Sequence, residues 1–311
     1  MSASQSERRP LAEGVYPILF AYYDAEERLH EKNMRAQVAT CLDWGVDGIA
    51  ALGLATEVGK LSTAERRIVI EWVCDEVDKR KPVAITLAEQ SVGAQIELAR
   101  HAIDCGADWL ILQPSATRNI PEIEHMRFLG RIADAVSVPL AIQNAPEYLG
   151  TSLSNAGLRE LNRQHPNIAI LKAEGSTTYI NGLMEETDGA FDVFNGRGGL
   201  EFTDNIRAGC VGMIPAPETC DVQARILRLM KEGNAEAEAE ADRLYRYMLP
   251  LITFLIQSVE TFLCYGKRLF AARAGLEDVF DRTPSIRPKA WGDASLLRYS
   301  AFLNDLNDAE T

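Results

Sequence analysis

The chain has few residues of the kinds that hold metals or build disulfide frameworks. Its 311 residues include six cysteines and four histidines. The cysteines are widely scattered and none forms a Cys-x-x-Cys pair, and the histidines are isolated without metal-ligand spacing. These absences argue against a disulfide scaffold and against a zinc site. We therefore expect reduced thiols and no metal.

Long apolar runs and basic clusters are also missing. The longest apolar stretch, residues 248–256, contains Pro250 and is too short to span a bilayer. The first ten residues are polar and lack the apolar core of a signal peptide. The net charge is −13, which disfavours nucleic acid and anionic membranes as partners. The sequence thus predicts a cytoplasmic protein that binds neither nucleic acid nor membranes.

Short apolar segments alternate with longer amphipathic ones along most of the chain, which is 47% hydrophobic. Helical patterns include residues 63–78, opened by Ser62, and residues 93–105, opened by Ser91. Alternating strands and helices indicate βαβ units, and eight of them within about 200 residues predict an α/β fold of the (β/α)8 TIM-barrel type. The predicted strands are residues 15–19, 48–52, 83–87, 109–112, 140–143, 168–172, 192–195 and 211–214.

After about residue 220 the pattern becomes helical throughout. Apolar residues recur there at spacings of three and four, which favours core packing of a C-terminal helical extension. The same spacing also fits an oligomer surface. We expect residues 1–13 to form a flexible N-terminal segment, residues 14–220 the barrel, and residues 221–311 the last barrel helix and the extension. The recurring residues are Leu244, Met248, Leu251, Ile252, Leu255, Val259, Phe262 and Leu263.

The sixth predicted strand ends in a lysine. Lys172 follows four apolar residues, and Glu174 comes two positions later. Alternate strand residues point to the same face, so both side chains can face one way at the C-terminal rim, where barrel enzymes have their active sites. A partly desolvated lysine there can lose its proton and attack a ketone. A solvated strand end is the alternative explanation for Lys172.

A glycine turn follows the second predicted strand and leads towards a helix. Backbone N–H groups in the segment from Gly53 through Ala55 to Thr56 suit a carboxylate. Glu57 sits at the same rim as a candidate acid/base. It also fits a solvated acid at a helix start, where the helix dipole favours negative charge. The string from Gly196 to Gly199 is interpreted only as a glycine-rich turn after the seventh strand.

Motifs in a characteristic order extend over residues 14–220. They are Gly53-x-x-x-Glu57, Leu61-Ser62-x-x-Glu65-Arg66, Gly106-Ala107-Asp108, Asn144-x-Pro146, His165-Pro166-Asn167-Ile168, Asn195-Gly196 and Ala208-Gly209-x-x-Gly212. Together they resemble the dihydrodipicolinate synthase / N-acetylneuraminate lyase family. The resemblance implies a Schiff base between Lys172 and a small 2-oxo acid, and a homo-oligomer of two or four chains. It also implies a substrate site formed by Gly53, Ala55, Thr56, Gln143, Asn144, Asn195, Gly196 and Ile214.

The chain departs from that family at several of its motif positions. Leu54 and Ala55 replace two threonines that hold the substrate carboxylate, and Ser115-Ala116 replaces a tyrosine pair. Gln143 stands where the family has its acid/base tyrosine. Tyr148 stands where the synthase branch has an arginine for a second carboxylate. These differences argue against a true dihydrodipicolinate synthase.

Three features resemble instead the 2-keto-3-deoxy sugar acid dehydratases, notably the L-arabonate type. They are Gln143-Asn144-Ala145-Pro146, Thr56-Glu57 and Lys172-x-Glu174. In such an enzyme Glu174 would remove the C3 proton of the iminium and then assist loss of the C4 hydroxyl. A structural ion pair with Lys172 is the alternative for Glu174. Aldol cleavage that releases pyruvate and non-catalytic 2-oxo-acid binding also fit the sequence. No organic cofactor is expected, because the lysine supplies the electron sink.

Overall fold

The structure is a computed structural model that describes residues 9–308. Its strands form one parallel sheet in the order β1-β8-β7-β6-β5-β4-β3-β2. The strands are β1 (Gly14–Val15), β2 (Ile49–Ala51), β3 (Val83–Leu87), β4 (Trp109–Leu112), β5 (Leu140–Asn144), β6 (Ile168–Ala173), β7 (Asp192–Asn195) and β8 (Gly212–Met213). All eight predicted strands are therefore present, and three of them have the predicted bounds.

The sheet closes on itself through the first strand. β1 pairs with β8, and Ile18, just beyond β1, bridges Ala50 of β2. The approach of β8 to β1 requires a glycine, because a Cβ on Gly212 would lie 2.0 Å from the carbonyl oxygen of Gly14. The closed arrangement of eight parallel strands with surrounding helices confirms the predicted (β/α)8 barrel.

The first strand is shorter than the predicted segment 15–19, and a proline accounts for this. Pro17 has no N–H to donate to the ladder. The residues on either side of Pro17 still form hydrogen bonds with β8 and the chain after it. The Tyr16 N–H donates to the Met213 carbonyl at 2.9 Å, and the Ile18 N–H donates to the Pro215 carbonyl at 2.7 Å. The segment thus runs along β8 although its regular pairing stops at Val15.

Helices cover the outside of the barrel. Ser62 and Ser91 cap the second and third helices as predicted, and Glu65 completes a capping box with Ser62. The helices are α1 (Glu31–Asp43), α2 (Thr63–Val77), α3 (Val92–Cys105), α4 (Glu122–Ala133), α5 (Pro146–Leu149), α6 (Asn155–Gln164), α7 (Thr177–Glu186), α8 (Phe202–Arg207), α9 (Cys220–Glu232), α10 (Ala235–Leu255), α11 (Val259–Thr261), α12 (Lys267–Ala274) and α13 (Ala290–Asp308).

Three aromatic rings pack inside the barrel. Tyr16 lies edge-on to Trp109 and Phe194, with ring centroids 5.4 and 5.6 Å apart. Trp109 and Phe194 stack at 5.6 Å. These residues come from the region of β1, from β4 and from β7, which are not neighbours in the sheet, so their contacts run through the barrel interior. The barrel is a packed core that leaves room for a site only at its rim.

The C-terminal part forms the helical extension. Five of the apolar residues that recur at spacings of three and four lie in α10 and are buried, which confirms core packing for them. They are Leu244, Met248, Leu251, Ile252 and Leu255. A π-helical turn, Phe262–Gly266, joins α11 to α12. No single helix within residues 9–308 is long and apolar enough to cross a membrane. α10 and the segment from α11 to α12 meet that criterion only as a pair, bent by 108°.

The chain before β1 lies against the barrel where it is described. The Leu11 N–H donates to the Asp192 carboxylate at 2.7 Å, and Lys231 of α9 pairs with Glu13 at 2.9 Å. Residues 1–8 of the segment predicted to be flexible lie outside the described residues. All six cysteines are free, and five of them are buried.

Candidate active site

β6 brings Lys172 to the C-terminal rim of the barrel. Four apolar residues before it are buried in the sheet, and Lys172 stands in register with Gln143 of β5 and Phe194 of β7. Its side chain is 6% exposed, and Nζ lies 2.7 Å from Oε1 of Glu174. The side chains of Lys172 and Glu174 therefore point to the same buried side, as alternate residues along a strand do.

Two glutamines hold Glu174 in place. Gln143 Nε2 donates to Glu174 Oε1 at 2.9 Å, and Gln113 Nε2 donates to Gln143 Oε1 at 2.9 Å. The Glu174 N–H donates to the Asn144 carbonyl at 3.0 Å, which continues the β5–β6 ladder past the end of the strand. The Glu174 carboxylate thus has a fixed orientation towards the lysine amine. Gln113 was not among the predicted site residues.

A cavity of about 380 Å³ opens over Lys172 and Glu174. Three predicted substrate-site residues, Ala55, Gly196 and Ile214, line it. Gly196 lies directly against the acid, because a Cβ there would come within 2.9 Å of the Glu174 carboxyl carbon. The absence of a side chain at Gly196 leaves that side of the carboxylate open to a ligand.

The glycine loop after β2 places its polar residue away from this cavity. Thr56 Oγ1 donates to the Leu19 carbonyl at 2.6 Å and accepts from the Leu52 N–H at 3.0 Å. Its hydroxyl is therefore occupied by the main chain. Gly53 packs against Ile18, since a Cβ there would lie 2.8 Å from that side chain. The structure brings Ala55 to the cavity but not Gly53 or Thr56.

The two predicted asparagines support loops. Asn144 accepts from the Leu153 N–H at 2.9 Å and donates to the Tyr179 hydroxyl at 2.8 Å. These bonds fix the segment that contains α5. Asn195 donates to the Ala173 carbonyl at 3.1 Å, while its Oδ1 is buried without a hydrogen-bond partner. Both asparagines lie behind the residues that line the cavity.

Glu57 lies outside the cavity in a buried ion-pair cluster. Its carboxylate is 2.6 Å from Lys267 Nζ and 2.5 Å from Lys60 Nζ. Lys267 is fully buried and also lies 3.4 Å from Asp281. These contacts tie the loop after β2 to the C-terminal helices. The structure does not bring Glu57 to Lys172.

Further polar residues of the cavity come from two loops. Glu147 and Tyr148 of α5, and Arg197 after β7, line it. Burial raises the pKa of Tyr148, and the Glu174 charge raises this pKa further while Arg197 lowers it. The phenol therefore keeps its proton and can act as a hydrogen-bond donor. In the sequence, Tyr148 is notable only because it stands where the synthase branch has an arginine, and Arg197 is notable only as part of a glycine-rich turn.

The C-terminal part closes the cavity from above. Ile256, Gln257, Ser258, Val259 and Phe262 line it, and residues 256–262 are called the roof segment below. They follow directly after α10, where the chain bends. These five lining residues of the roof segment are uncharged, and Gln257 and Ser258 are the polar ones among them. Within residues 9–308, no three His, Cys, Asp or Glu side chains are grouped to hold a metal.

A (β/α)8 barrel with a buried lysine at the rim of its sixth strand defines a class of proteins suited to imine chemistry. The chain belongs to the dihydrodipicolinate synthetase family, whose sequence profile matches residues 11–278. Aldolases and dehydratases are found in this family, and a Schiff base with pyruvate is typical of it. The predicted family is thus confirmed.

Individual relatives differ in their named reactions. A 4-hydroxy-tetrahydrodipicolinate synthase of Methanopyrus kandleri is 30% identical over 77% of this chain and 80% of its own. An L-2-keto-3-deoxyarabonate dehydratase of Azospirillum brasilense is 25% identical over 79% of this chain and 81% of its own. Among solved structures, Escherichia coli YagE in complex with pyruvate superposes with a TM-score of 0.85 at 22% identity. It covers 94% of this chain and 98% of its own.

Proposed function

We propose that the protein is a Schiff-base-dependent lyase that dehydrates a 2-keto-3-deoxy sugar acid. The observation that carries this proposal is the 2.7 Å contact between Lys172 Nζ and Glu174 Oε1 beneath a cavity of about 380 Å³. Amine and carboxylate share one small space. The pair can therefore form an imine at C2 of a 2-oxo acid and move a proton at the neighbouring C3.

The proton balance of imine formation needs only these two groups. Glu174 accepts a proton from the Lys172 ammonium, and the neutral amine attacks the C2 carbonyl. Glu174 returns this proton to the C2 oxygen and then carries a second proton from the attached nitrogen to the same oxygen, which leaves as water while the C2–N double bond forms. The resulting iminium withdraws electrons from C3 and makes its protons acidic.

Dehydration follows from the same geometry. The Glu174 carboxylate removes one C3 proton, and the electron pair forms the enamine. The enamine then expels the C4 hydroxyl, which leaves as water with the proton from Glu174. The C3–H and C4–O bonds break, a C3=C4 double bond forms, and hydrolysis of the iminium releases the product and restores Lys172. Gln143 supports both steps because it holds Glu174 in one orientation.

The choice of dehydration is supported by the residues around the lysine. Gln143 in the place of the family's acid/base tyrosine, and the Lys172-x-Glu174 pair, resemble the dehydratase branch. The dehydratase of Azospirillum brasilense is among the relatives. Tyr148 in the place of the synthase arginine removes the expected partner of a second carboxylate. We propose on this ground that the protein is not a 4-hydroxy-tetrahydrodipicolinate synthase, although it has a relative of that name at 30% identity.

Aldol cleavage is the second candidate. Glu174 would then take the proton of the C4 hydroxyl while the C3–C4 bond breaks and pyruvate leaves through the enamine. The E. coli relative that binds pyruvate favours retaining this candidate. An assay of dehydrated product and pyruvate from a panel of 2-keto-3-deoxy acids separates the two reactions. Imine formation without either product would identify a 2-oxo-acid-binding protein instead.

Covalent trapping tests the Schiff base itself. Borohydride with pyruvate should add a pyruvyl mass to the peptide that contains Lys172, because reduction makes the imine permanent. Lys172→Ala should abolish the adduct, whereas the surface variant Lys231→Ala should keep it. Mass spectrometry of digested protein is the measurement. An adduct on another lysine, or none with any 2-oxo acid, contradicts the proposed mechanism.

A further inference from the structure

Arg197 is a largely buried cation of the cavity whose guanidinium makes no hydrogen bond within residues 9–308. Its side chain is 17% exposed. Nη1 lies 3.8 Å from Glu147 and Nη2 lies 3.6 Å from Glu201, which is longer than a hydrogen bond. Nε is buried without a hydrogen-bond partner. A guanidinium has five N–H donors, and buried donors are normally paired.

Other buried arginines of the described chain are held far more closely. Arg273 donates to both oxygens of Asp221, at 3.0 and 2.5 Å. Arg66 donates to Glu89 at 2.6 Å and to a main-chain carbonyl at 2.9 Å. Both of these arginines also have a buried Nε without a hydrogen-bond partner, so the contrast with Arg197 lies at the Nη groups, which make hydrogen bonds in Arg66 and Arg273. Arg197 differs from them in that it lines the cavity over Lys172.

The backbone at Arg197 is also unusual. Its φ is 52°, in the left-handed region that residues other than glycine rarely adopt, and Gly198 and Gly199 continue with positive φ values. Such strain persists where a structure requires one placement of a side chain, and it clusters at ligand sites. The turn begins at Gly196, which touches Glu174. Arg197 therefore directly follows a residue that contacts Glu174, one of the two proposed reacting groups.

The charges around Arg197 indicate what it can bind. Glu147 and Glu201 already balance its charge at 3.6–3.8 Å, so a further carboxylate would meet repulsion. A hydroxyl has no net charge, and its oxygen can accept from a guanidinium N–H while its own proton is donated to a carboxylate. The gap between Arg197 and Glu147 is too long for a direct hydrogen bond and suits such a bridging group.

We infer that Arg197 and Glu147 form a subsite for a distal hydroxyl of the substrate, the one on C5 beyond the reacting C2–C4 segment. The inference rests on the proposed function, because Lys172 must fix C2 for C5 to reach this end of the cavity. It makes the protein selective for 2-oxo acids with a polyol tail over those that end in a methyl group or a carboxylate.

Three acids that differ only at C5 test the subsite. They are 4,5-dihydroxy-2-oxopentanoate, 4-hydroxy-2-oxopentanoate and 4-hydroxy-2-oxoglutarate, which carry a hydroxymethyl, a methyl and a carboxylate group. The measured quantity is the concentration of each acid that halves borohydride trapping of pyruvate at short times. A hydrogen bond to a charged group is worth about 10–150-fold in affinity. The dihydroxy acid should compete better than the methyl acid by that factor, and better than the diacid.

In the Arg197→Gln variant, the dihydroxy acid should compete no more than about threefold better than the methyl acid, because the variant lacks the charged hydrogen bond to the C5 hydroxyl. The preference is a ratio measured on one preparation, so it does not depend on how fast the variant traps pyruvate. A pyruvyl adduct on Lys172 of the variant shows that its fold and Lys172 are intact. Arg163→Gln is the matched control, because Arg163 lies on the exposed face of α6 and pairs only with Glu160 in the described chain.

The outcomes separate the two levels of the proposal. Equal competition by the three acids, or an undiminished preference in Arg197→Gln, overturns the subsite while pyruvate trapping leaves the Schiff base standing. A wild-type preference for the diacid that Arg197→Gln abolishes also overturns it, because Arg197 would then bind a carboxylate. Failure of pyruvate trapping in the wild type overturns the proposed function and the subsite that rests on it.

Discussion

Glu174 is the residue whose chemical role a minimal substitution can isolate. Glu174→Gln keeps the size of the side chain and an oxygen that can still accept from Gln143. The variant should still form the Lys172 imine, more slowly because Glu174 no longer carries the protons, but should lose turnover by about 10²–10⁴-fold, the usual effect of removing a general acid/base. Borohydride trapping and product formation, measured on the same preparation, check the two halves of this prediction.

The alternative role of Glu174 gives a different result. An ion-pair partner would change the pH dependence of imine formation with only a modest loss of rate. Glu160→Gln is the control, because Glu160 is an exposed acid of α6 that pairs with Arg163. Full activity of Glu174→Gln would assign proton transfer to another group of the cavity, of which Tyr148 is one.

Glu218 links stability to pH. It is buried near Arg273, and burial raises its pKa from 4.5 to about 7. Because the folded-state pKa is the higher one, the folded protein holds this proton more tightly, and stability falls as pH rises from about 4.5 to 7. The loss amounts to about 3 kcal/mol. Urea unfolding at pH 5 and pH 8 should show this contribution in the wild type but not in Glu218→Gln. An identical pH dependence in both proteins would refute it.

The sequence predicts individual residues well only where a local pattern places them. Lys172 and Glu174 follow from one apolar strand and a spacing of two. Glu57 is at the predicted loop, but its partner Lys267 lies 210 positions away, and no local pattern reveals that contact. Arg197 enters the site through a turn whose conformation depends on glycines and on packing against the roof segment, since Gly198 lies against Ile256.

At the scale of the strands, barrel closure depends on the absence of a side chain in β8. Gly212→Ala places a Cβ 2.0 Å from the Gly14 carbonyl oxygen, so the backbone of β1 must move. We expect a loss of about 3 kcal/mol or more in the free energy of unfolding. Urea denaturation followed by circular dichroism measures it.

The same substitution in a helix provides the matched control. Gly93 lies in α3, and a Cβ there would meet nothing within 4 Å. Gly93→Ala should stabilise the protein by about 0.5–1 kcal/mol, because alanine favours the helix and restricts the unfolded chain. Equal effects of the two substitutions would show that β8 tolerates a side chain and that β1 closes the barrel in another way.

The strands were predictable because each is a short apolar run between turn signals. Their ends were less so, as β1 shows, where Pro17 stops the regular ladder. The bend between α10 and α11 was not predicted, because residues 256–258 contain neither glycine nor proline. That bend follows from packing on the barrel, which the spacing of apolar residues within one segment does not reveal.

At the scale of the whole molecule, assembly into two or four chains is the prediction from the family resemblance. Large apolar side chains stand exposed on the outside, among them Trp291, Leu297 and Tyr247, and burying them between copies would be favourable. Multi-angle light scattering should give a mass two or four times 34.4 kDa. With a net charge of −13, the copies repel one another, so moderate salt should favour the assembly. A mass of one chain at all concentrations would contradict the prediction.

The roof segment also has a consequence for the protein while it is being made. The barrel part of the cavity is complete at Ala216, whereas the roof ends at Phe262. A ribosome needs ~2–9 s for the residues between them at 5–20 residues per second. We therefore expect that a nascent chain whose barrel folds within that interval presents Lys172 without its cover. Reactive carbonyl metabolites would then meet an open amine, which only the arrival of the C-terminal helices shields.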